Sequence, residues 1–265
     1  MRVERIQEIT SSENPSVKGW RLLLVPKGRQ KQNRAILCGP KIVTEALRAF
    51  PDRAQTLILG GARMTPPEDL PETIQIVRLP TALFQELDAY GTRSPLLVLE
   101  IPELPEWTPK DGLPPGISLF LPFQDPENLG AAIRSGLAFG VAGIVLLGGA
   151  AHPYHPKTLR ASGGAVLRAR LALGPALAEL PENLPLVPLS AEGEDLSSFT
   201  FPPSCALLPG IEGPGLPAPW RRRAVRIPIR PEVESLNAAA AVAIVLYEWA
   251  RRSRELNRET GRREE

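Results

Sequence analysis

The sequence is poor in the residues that most often carry metal, redox or nucleophilic chemistry. Its 265 residues include two cysteines, two histidines and two methionines. Cys38 and Cys205 each lie in an apolar, strand-like segment, so we expect two buried thiols rather than a disulfide or a metal pair. His152 and His155 lie in a loop that two prolines restrict, with no cysteine or carboxylate close in sequence. We therefore expect no metal site.

Long apolar runs are absent as well, and so are several nucleotide motifs. No stretch is long and apolar enough to cross a membrane, and the first residues lack the pattern of a signal peptide. We expect a cytoplasmic protein. The dinucleotide-binding Gly-x-Gly-x-x-Gly, the phosphate-loop Gly-Lys-Ser/Thr and the hydrolase Gly-x-Ser-x-Gly are all missing. These absences disfavour a nicotinamide-dependent enzyme, a nucleotide hydrolase and a serine hydrolase.

Basic residues are unevenly distributed, although the net charge is only +2. No acidic residue occurs from Asn14 to Arg34, and this stretch contains the basic residues Lys18, Arg21, Lys27, Arg29, Lys31 and Arg34. A second cluster comprises Arg221, Arg222, Arg223, Arg226 and Arg230. Such clusters suit the phosphate backbone of a nucleic acid, while the alternative is a solvated surface that acidic neighbours balance.

Strand and helix patterns alternate along the chain. We predict strands at 35–39, 56–59, 73–79, 95–101, 117–121, 142–147, 166–171, 184–189, 205–208 and 225–229. We predict helices at 41–50, 81–89, 127–139, 156–161, 176–180 and 238–251. A proline-rich linker at 102–116 separates a small α/β domain at 1–101 from a larger domain at 117–265. The alternation in the larger domain indicates an α/β fold with a mostly parallel sheet covered on both faces.

Three segments that follow predicted strands carry polar and glycine residues. Open parallel sheets bind ligands at the carboxyl ends of their strands. The first segment is Asp125-Pro126-x-Asn128-x-Gly130-x-x-x-Arg134, where an arginine on an apolar helix needs an anionic partner or a phosphate. The second is Gly210-x-Glu212-Gly213-x-Gly215, whose glycines let the backbone approach a ligand. The third is Ile227-Pro228-Ile229 with Glu234-Ser235-Leu236-Asn237, where Ser235 can cap the last helix.

Together and in this order, the three segments resemble the motifs of the SpoU/TrmH-type RNA ribose 2′-O-methyltransferases, over about residues 117–250. The stretch 160–165 is similar to that family's linking segment, and Ser12-x-Asn14-Pro15-x-Val17-Lys18 resembles the start of its ribosomal-protein-like RNA-binding domain. The resemblance implies a catalytic domain tied as a trefoil knot, a rare exception to unknotted folds. It also implies S-adenosylmethionine as cofactor and a homodimer whose active site draws on both subunits.

The resemblance also implies roles for particular residues. The polar catalytic set is Asn128, Arg134, Glu212, Ser235 and Asn237. Contacts to S-adenosylmethionine would come from the backbones of Gly210, Ile227 and Leu236, with Leu208, Ile229 and Gly215 beside them. The basic residues between Asn14 and Arg34 would bind RNA, with ribosomal RNA favoured over transfer RNA. In the family the counterpart of Arg134 is proposed as the base, but an arginine pKa above about 12 leaves a phosphate clamp as the alternative.

Two departures from the family pattern keep another function open. Ile211 stands where many members have a small or polar residue, and Pro209 precedes the glycine. The alternative is a catalytically inactive RNA- or ribosome-binding paralogue of the same fold. The intact catalytic set argues against that alternative.

Overall fold

The chain divides into two compact units in the computed structural model, which describes residues 6–25, 33–210 and 216–261, the last seven of them by backbone alone. Unit 1 comprises residues 1–103 and 152–167, and unit 2 comprises residues 104–151 and 168–265. Residues 152–167 thus belong to unit 1, although the sequence analysis assigns them to the larger domain. That these units are the two functional domains stays a prediction.

Eleven strands and seven helices alternate along the described residues. The strands are β1 Ile6–Glu8, β2 Arg34–Leu37, β3 Ala54–Gly60, β4 Gln75–Leu79, β5 Leu96–Glu100, β6 Gly116–Leu121, β7 Ile144–Leu146, β8 Leu171–Leu173, β9 Leu186–Asp195, β10 Ser204–Leu208 and β11 Val225–Arg226. The helices are α1 Pro15–Leu23, α2 Pro40–Ala49, α3 Thr81–Leu87, α4 Pro126–Phe139, α5 Pro156–Ala161, α6 Ala218–Arg221 and α7 Ala238–Gly261.

Unit 1 is built on a mixed sheet with the strand order β1-β4-β3-β5-β2. Strand β5 runs antiparallel to both of its neighbours, whereas β1, β4 and β3 are parallel. Alternate residues of the strands, such as Ile58 and Val98, are buried against Leu23 of α1 and Phe84 of α3. Gly60 lies so close to Phe84 that an added Cβ would stand 2.5 Å from its ring. The close approach of α3 to β3 therefore requires glycine at this position.

Unit 2 is built on an all-parallel sheet with the strand order β11-β9-β10-β6-β7-β8. Helix α4 packs on one face, where a Cβ at Gly136 would lie 2.8 Å from Leu119 of β6. On the opposite face Phe120 meets Trp220 and Trp107 in a buried cluster. The carboxyl ends of β6, β10, β9 and β11 point the same way, because neighbouring strands are parallel. Polar loops after these strands therefore gather at one edge of the sheet.

The predicted fold class is confirmed, since the chain is α/β with a mostly parallel sheet in its larger unit. Three predicted segments were wrong in detail. The strand predicted at 166–171 is a 3-10 helix at Ala165–Arg168 followed by β8. The helix predicted at 176–180 is a 3-10 turn at Leu177–Glu179. The strand predicted at 225–229 ends at Arg226, because Pro228 has no N–H to continue the ladder.

Candidate active site

The first turn of α4 is fixed by its own cap at the carboxyl edge of β6. Asp125 is the N-cap, and its Oδ1 accepts hydrogen bonds of 2.8 Å from the backbone N–H groups of Glu127 and Asn128. Pro126 occupies the first helical position, where a missing N–H costs nothing. The opposite side of the helix is buried through Leu129. Asn128 therefore has a defined place beside the end of the central strand.

Asn237 joins this turn to the start of α7. Its Nδ2 donates to Oδ1 of Asn128 across 2.8 Å. Its Oδ1 accepts from the backbone N–H of Ala240 at 3.1 Å, which makes Asn237 the N-cap of α7. The sequence analysis gave that capping role to Ser235, and this was wrong. Ser235 lies outside the helix, is exposed and makes no hydrogen bond to the described residues.

Arg134 is exposed on α4 and makes no hydrogen bond, ion pair or ring contact with the described part of the chain. It lies on the same helix as Asn128, about 9 Å further along the axis. The anionic partner that the sequence analysis expected is therefore not found among the described residues. The guanidinium is available to a ligand, a nucleic acid or a second chain.

The predicted cofactor residues lie at the ends of β10 and β11. Leu208 is fully buried with Phe120 in the core, so only its backbone can reach a ligand. Gly210 and Ile227 are half-buried, while Ile229 and Leu236 are 37% and 36% exposed.

Glu212 and Gly215 lie outside the described residues, as do Ile211 and Gly213.

The segment 227–237 has little structure of its own. Within the described part of the chain, its one internal backbone hydrogen bond runs from the N–H of Val233 to the carbonyl of Arg230, at 3.0 Å. Nearly all of its residues are exposed. The carbonyl of Asn237 accepts from the N–H of Ala241 at 2.9 Å. Most other backbone groups of the segment have no backbone partner among the described residues, so they are available to a ligand, and the exposed apolar side chains can contact a flat or apolar group.

The predicted RNA-binding residues have diverse surroundings. Lys18 forms an exposed ion pair of 2.7 Å with Glu13. Arg21 donates to Glu86 of α3 through Nε and Nη2, at 2.8 and 2.6 Å, and to the carbonyl of Ser12. Arg21 thus fastens α1 to α3, a role that the sequence did not reveal.

Arg34 is exposed at the start of β2, whereas Lys27, Arg29 and Lys31 lie outside the described residues.

The second basic cluster is partly balanced by acidic residues of β9. Arg221 lies 3.8 Å from Glu192, and Arg226 lies 3.4 Å from Asp195. Both pairs are exposed, and such pairs contribute at most about 1 kcal/mol to stability. The guanidinium of Arg223 stacks on the ring of Trp220, 5.0 Å from its centroid.

The histidines serve local turns. Nδ1 of His152 accepts from the N–H of Tyr154 at 3.2 Å, and Nδ1 of His155 accepts from the N–H of Lys157 at 3.1 Å. His155 thereby caps α5. In the part of the chain that the structure describes, no three His, Cys, Asp or Glu side chains are grouped to hold a metal ion.

Both thiols are free, as the sequence analysis expected. Burial, with the nearby Asp88 carboxylate, raises the pKa of Cys38 to about 12. Burial also raises the pKa of Cys205 to about 11. Neither thiol is therefore a thiolate at neutral pH, which leaves both without the nucleophilic form that thiol catalysis requires. Among the described helices, none has the length and hydropathy of a membrane span.

Comparison with known proteins relates this geometry to RNA methyltransferases. Residues 119–247 match the family model described as the SpoU rRNA methylase family. The chain is 30% identical to the 23S rRNA (guanosine(2553)-2′-O)-methyltransferase RlmP of Bacillus subtilis, over 91% of this chain and 98% of that relative. It is 51% identical to the ribosomal RNA small subunit methyltransferase G 2 of Syntrophobacter fumaroxidans, over 95% of this chain. The chain spans only 50% of the length of this second relative, so the name describes a longer protein.

A solved structure matches both the fold and the length of the chain. The AdoMet-bound rRNA methyltransferase from Sinorhizobium meliloti superposes with a TM-score of 0.73 at 25% identity, and the match covers 94% of this chain and 98% of that one. AdoMet is S-adenosylmethionine, the cofactor that the sequence analysis expected.

Proposed function

The chain belongs to the SpoU rRNA methylase family, and from that premise we propose that it transfers a methyl group from S-adenosylmethionine to a ribose 2′-hydroxyl of ribosomal RNA. The observation that carries the proposal is the hydrogen bond between Asn128 and Asn237. It joins a residue of the first motif to a residue of the third at the carboxyl edge of a parallel sheet. Ligands bind at this edge in open α/β folds.

The residues at this edge fit S-adenosylmethionine. The segment 227–237 has backbone groups without internal partners among the described residues, and it exposes Ile229 and Leu236. An adenine ring needs both features, an apolar surface and backbone hydrogen bonds at its edge. Gly210 and Ile227 would add backbone contacts, with Leu208 behind them. Glu212 and Gly215 remain proposed site residues in the loop after β10, and we propose that this part of the chain is tied as a trefoil knot.

The chemistry demands little beyond positioning and proton removal. S-adenosylmethionine supplies a methyl group that the positive sulfur already makes electrophilic. The ribose oxygen must be held in line with that methyl group, so that the new C–O bond would form as the C–S bond breaks. The hydroxyl proton would leave to solvent water. We assign Asn128, Ser235 and Asn237 to orienting the ribose. Arg134, charged at any physiological pH, would clamp a phosphate beside the target nucleotide.

Unit 1 would select the RNA. Arg34 is exposed, and Lys18 would exchange its exposed ion pair with Glu13 for a phosphate. We propose that Lys27, Arg29 and Lys31 also bind RNA. Arg21 would contribute charge while its guanidinium holds α1 in place. Relatives named as rRNA methyltransferases support ribosomal RNA as the substrate. That substrate agrees with action in the cytoplasm.

A homodimer would complete the site. Helix α7 exposes Ile244 at 40% and Tyr247 at 57%, one turn apart on one side of the helix. Tyr247 also packs edge-on against Phe139 of α4, with 6.2 Å between ring centroids. Exposed apolar residues that adjoin one another are typical of interfaces between chains. Arg134 lies on the same α4 without an intrachain partner in the described residues, as expected of a side chain that serves the site of a second copy.

A methyl-transfer assay tests the proposal. Purified chain is incubated with S-adenosylmethionine labelled in its methyl group and with either ribosomal or transfer RNA. We expect label in ribosomal RNA with the wild-type chain and about 100-fold slower labelling with Arg134→Ala. Binding of S-adenosylmethionine without transfer to either RNA would instead support the inactive paralogue, and full activity of Arg134→Ala would refute the assigned role.

A further inference from the structure

The segment 227–237 takes its position from its two ends, because the described residues give it a single internal backbone hydrogen bond. Pro228 and Pro231 restrict its backbone without fixing it to the rest of unit 2. One end continues from β11 and the other enters α7. Whatever holds β11 and α7 relative to each other therefore sets the shape of the segment.

The first end is held by the turn that follows β9, residues 195–199, here called the 195–199 turn. Strand β11 pairs with β9 through Arg226 and Asp195. The N–H of Leu196 then donates to the carbonyl of Arg226 at 3.0 Å. The Arg226 guanidinium lies 3.4 Å from the Asp195 carboxylate. The last residue before the segment is thus bound to this turn by both backbone and side chain.

Helix α7 begins at the second end, where Asn237 is bound to Asn128. Farther along its length the helix is held to the same turn through Arg252. Its Nη1 donates to the carbonyl of Phe199 at 2.6 Å, and its Nη2 donates to the carbonyls of Leu196 and Ser197 at 2.8 and 3.1 Å. Nε donates to Glu248 at 2.6 Å, which orients the guanidinium. One side chain therefore makes three hydrogen bonds to one turn.

The 195–199 turn is closed by its own hydrogen bonds. Oδ1 of Asp195 accepts from both the N–H and the hydroxyl of Ser197, at 2.9 and 2.7 Å. The N–H groups of Ser198 and Phe199 donate to the carbonyl of Asp195. These bonds close the turn on itself before Arg252 reaches it.

We propose that Arg252 is a positioning residue for the cofactor segment 227–237, because it ties α7 to the turn that also holds β11. The inference rests on the proposed function, since it supposes that this segment binds S-adenosylmethionine. Arg252 lies about 22 Å along the helix from Asn237, so it touches neither the cofactor residues nor the asparagine pair. Loss of its three bonds lets α7 shift relative to β11, and the segment that joins them then spreads over several conformations.

Arg251 offers a matched control. It is the neighbour of Arg252, and its described bonds go to Glu248 through Nε at 3.0 Å and Nη2 at 2.9 Å. Arg251→Ala also removes one positive charge from this turn of α7, but it leaves the three hydrogen bonds from Arg252 to the 195–199 turn in place. Arg252→Lys keeps the charge but loses the planar fork that reaches three carbonyls.

Calorimetric titration of the full chain with S-adenosylmethionine tests the inference, at a temperature where circular dichroism shows each variant folded. We expect Arg252→Ala to raise the dissociation constant for S-adenosylmethionine about tenfold, within the usual range of coupling between distant sites. Arg252→Lys should raise this dissociation constant less, and the dissociation constant of Arg251→Ala should stay within about twofold of wild type. In turnover, Arg252→Ala should raise the KM for the cofactor and leave kcat near wild type.

The results separate this inference from the proposed function. A wild-type dissociation constant in Arg252→Ala, even with a lowered Tm, would overturn the inference alone and leave Arg252 a stabilising residue only. If Arg252→Ala does not fold, a wild-type dissociation constant in Arg252→Lys would overturn the inference instead. Failure of the wild-type chain to bind S-adenosylmethionine would overturn the proposed function, and the inference with it.

Discussion

Asn237 donates its side-chain N–H to the side-chain oxygen of Asn128 across 2.8 Å, although 109 residues separate the two in sequence. The same Asn237 caps α7 through its oxygen, which accepts from Ala240. One amide therefore joins the polar starts of two helices that pack against each other. The helices bring the first and third motifs together, and the hydrogen bond fixes the orientation of the two amides relative to each other.

Replacement of Asn237 separates its two roles. Asn237→Asp keeps the oxygen that caps α7 but loses the N–H that binds Asn128, which must turn its own amide to keep a hydrogen bond. We expect near-wild-type unfolding free energy and methyl transfer reduced about tenfold or more. Asn237→Ala loses both roles and should also cost about 1 kcal/mol of stability. Chemical denaturation and initial-rate assays measure the two effects, and full activity of Asn237→Asp would contradict the account.

Arg134 should matter for activity and not for stability. It is exposed and makes no hydrogen bond, ion pair or ring contact with a described residue. Arg134→Ala should therefore change the unfolding free energy by less than about 0.5 kcal/mol. Transfer should fall by about 100-fold, as when an electrostatic contact to the transition state is lost. Arg168→Ala, an exposed arginine away from the motifs, is the control and should remain active.

The pH dependence of Arg134→Lys distinguishes a clamp from a base. A clamping lysine retains part of the activity and leaves the pH–rate profile of the wild type in place. A lysine acting as the base would move the rising limb of that profile to lower pH, because its pKa is lower than that of arginine. Initial rates of methyl transfer across neutral and alkaline pH distinguish the two roles. A rising limb shifted to lower pH would refute the clamp.

Gly193 is required by the close approach of β9 to the residue before β11. A Cβ there would lie 2.2 Å from the carbonyl oxygen of Ala224, which is backbone and cannot move aside alone. Gly193→Ala should therefore lower the unfolding free energy by about 1–3 kcal/mol. Gly143→Ala is the matched control, because no atom lies within 4 Å of its added Cβ. Equal denaturation midpoints for the two variants would argue against this packing of β11 on β9.

Glu248 should give stability that depends on pH. Hydrogen bonds from Arg251 and then Arg252 lower its pKa from 4.5 to about 2. A carboxyl with a depressed pKa stabilises the fold fully above its unfolded value, and this stabilisation is lost as the pH falls from about 4.5 toward 2. The difference in urea midpoint between wild type and Glu248→Gln should thus be largest above about pH 5 and shrink at lower pH. A constant difference would contradict the ion pair.

Local signals in the sequence predicted the helix starts better than the strand ends. Asp125 followed by Pro126 correctly predicted the beginning of α4. The segment at 166–171 resembled a strand, but Gly163 and Gly164 have φ of 58° and 82° and lead into a 3-10 turn. Strand pairing begins only at Leu171, opposite Ile144. That partner is remote in sequence, so the local pattern could not predict where the strand begins.

The same limit applies to the site. The motif residues Asn128 and Asn237 were predicted from the sequence, but the bond between them depends on how α4 and α7 pack. The bonds of Arg252 to the 195–199 turn had no signal in the sequence, because their partners lie 53 to 56 residues away along the chain. Helix α1 was missed, although Asn14 before Pro15 is a start signal and Val17, Trp20 and Leu23 form its buried side.

The position of the methyl group on the product shows whether the chain is a ribose 2′-O-methyltransferase. Ribosomal RNA treated with the chain and S-adenosylmethionine is digested to nucleosides, and the methylated nucleoside is identified by mass spectrometry. We expect a methyl group on the ribose 2′-oxygen of one nucleotide, in about 100-fold lower yield when Arg134→Ala replaces the wild-type chain. A methyl group on a base, or ribosomal RNA left unmethylated by a chain that binds S-adenosylmethionine, would contradict that expectation.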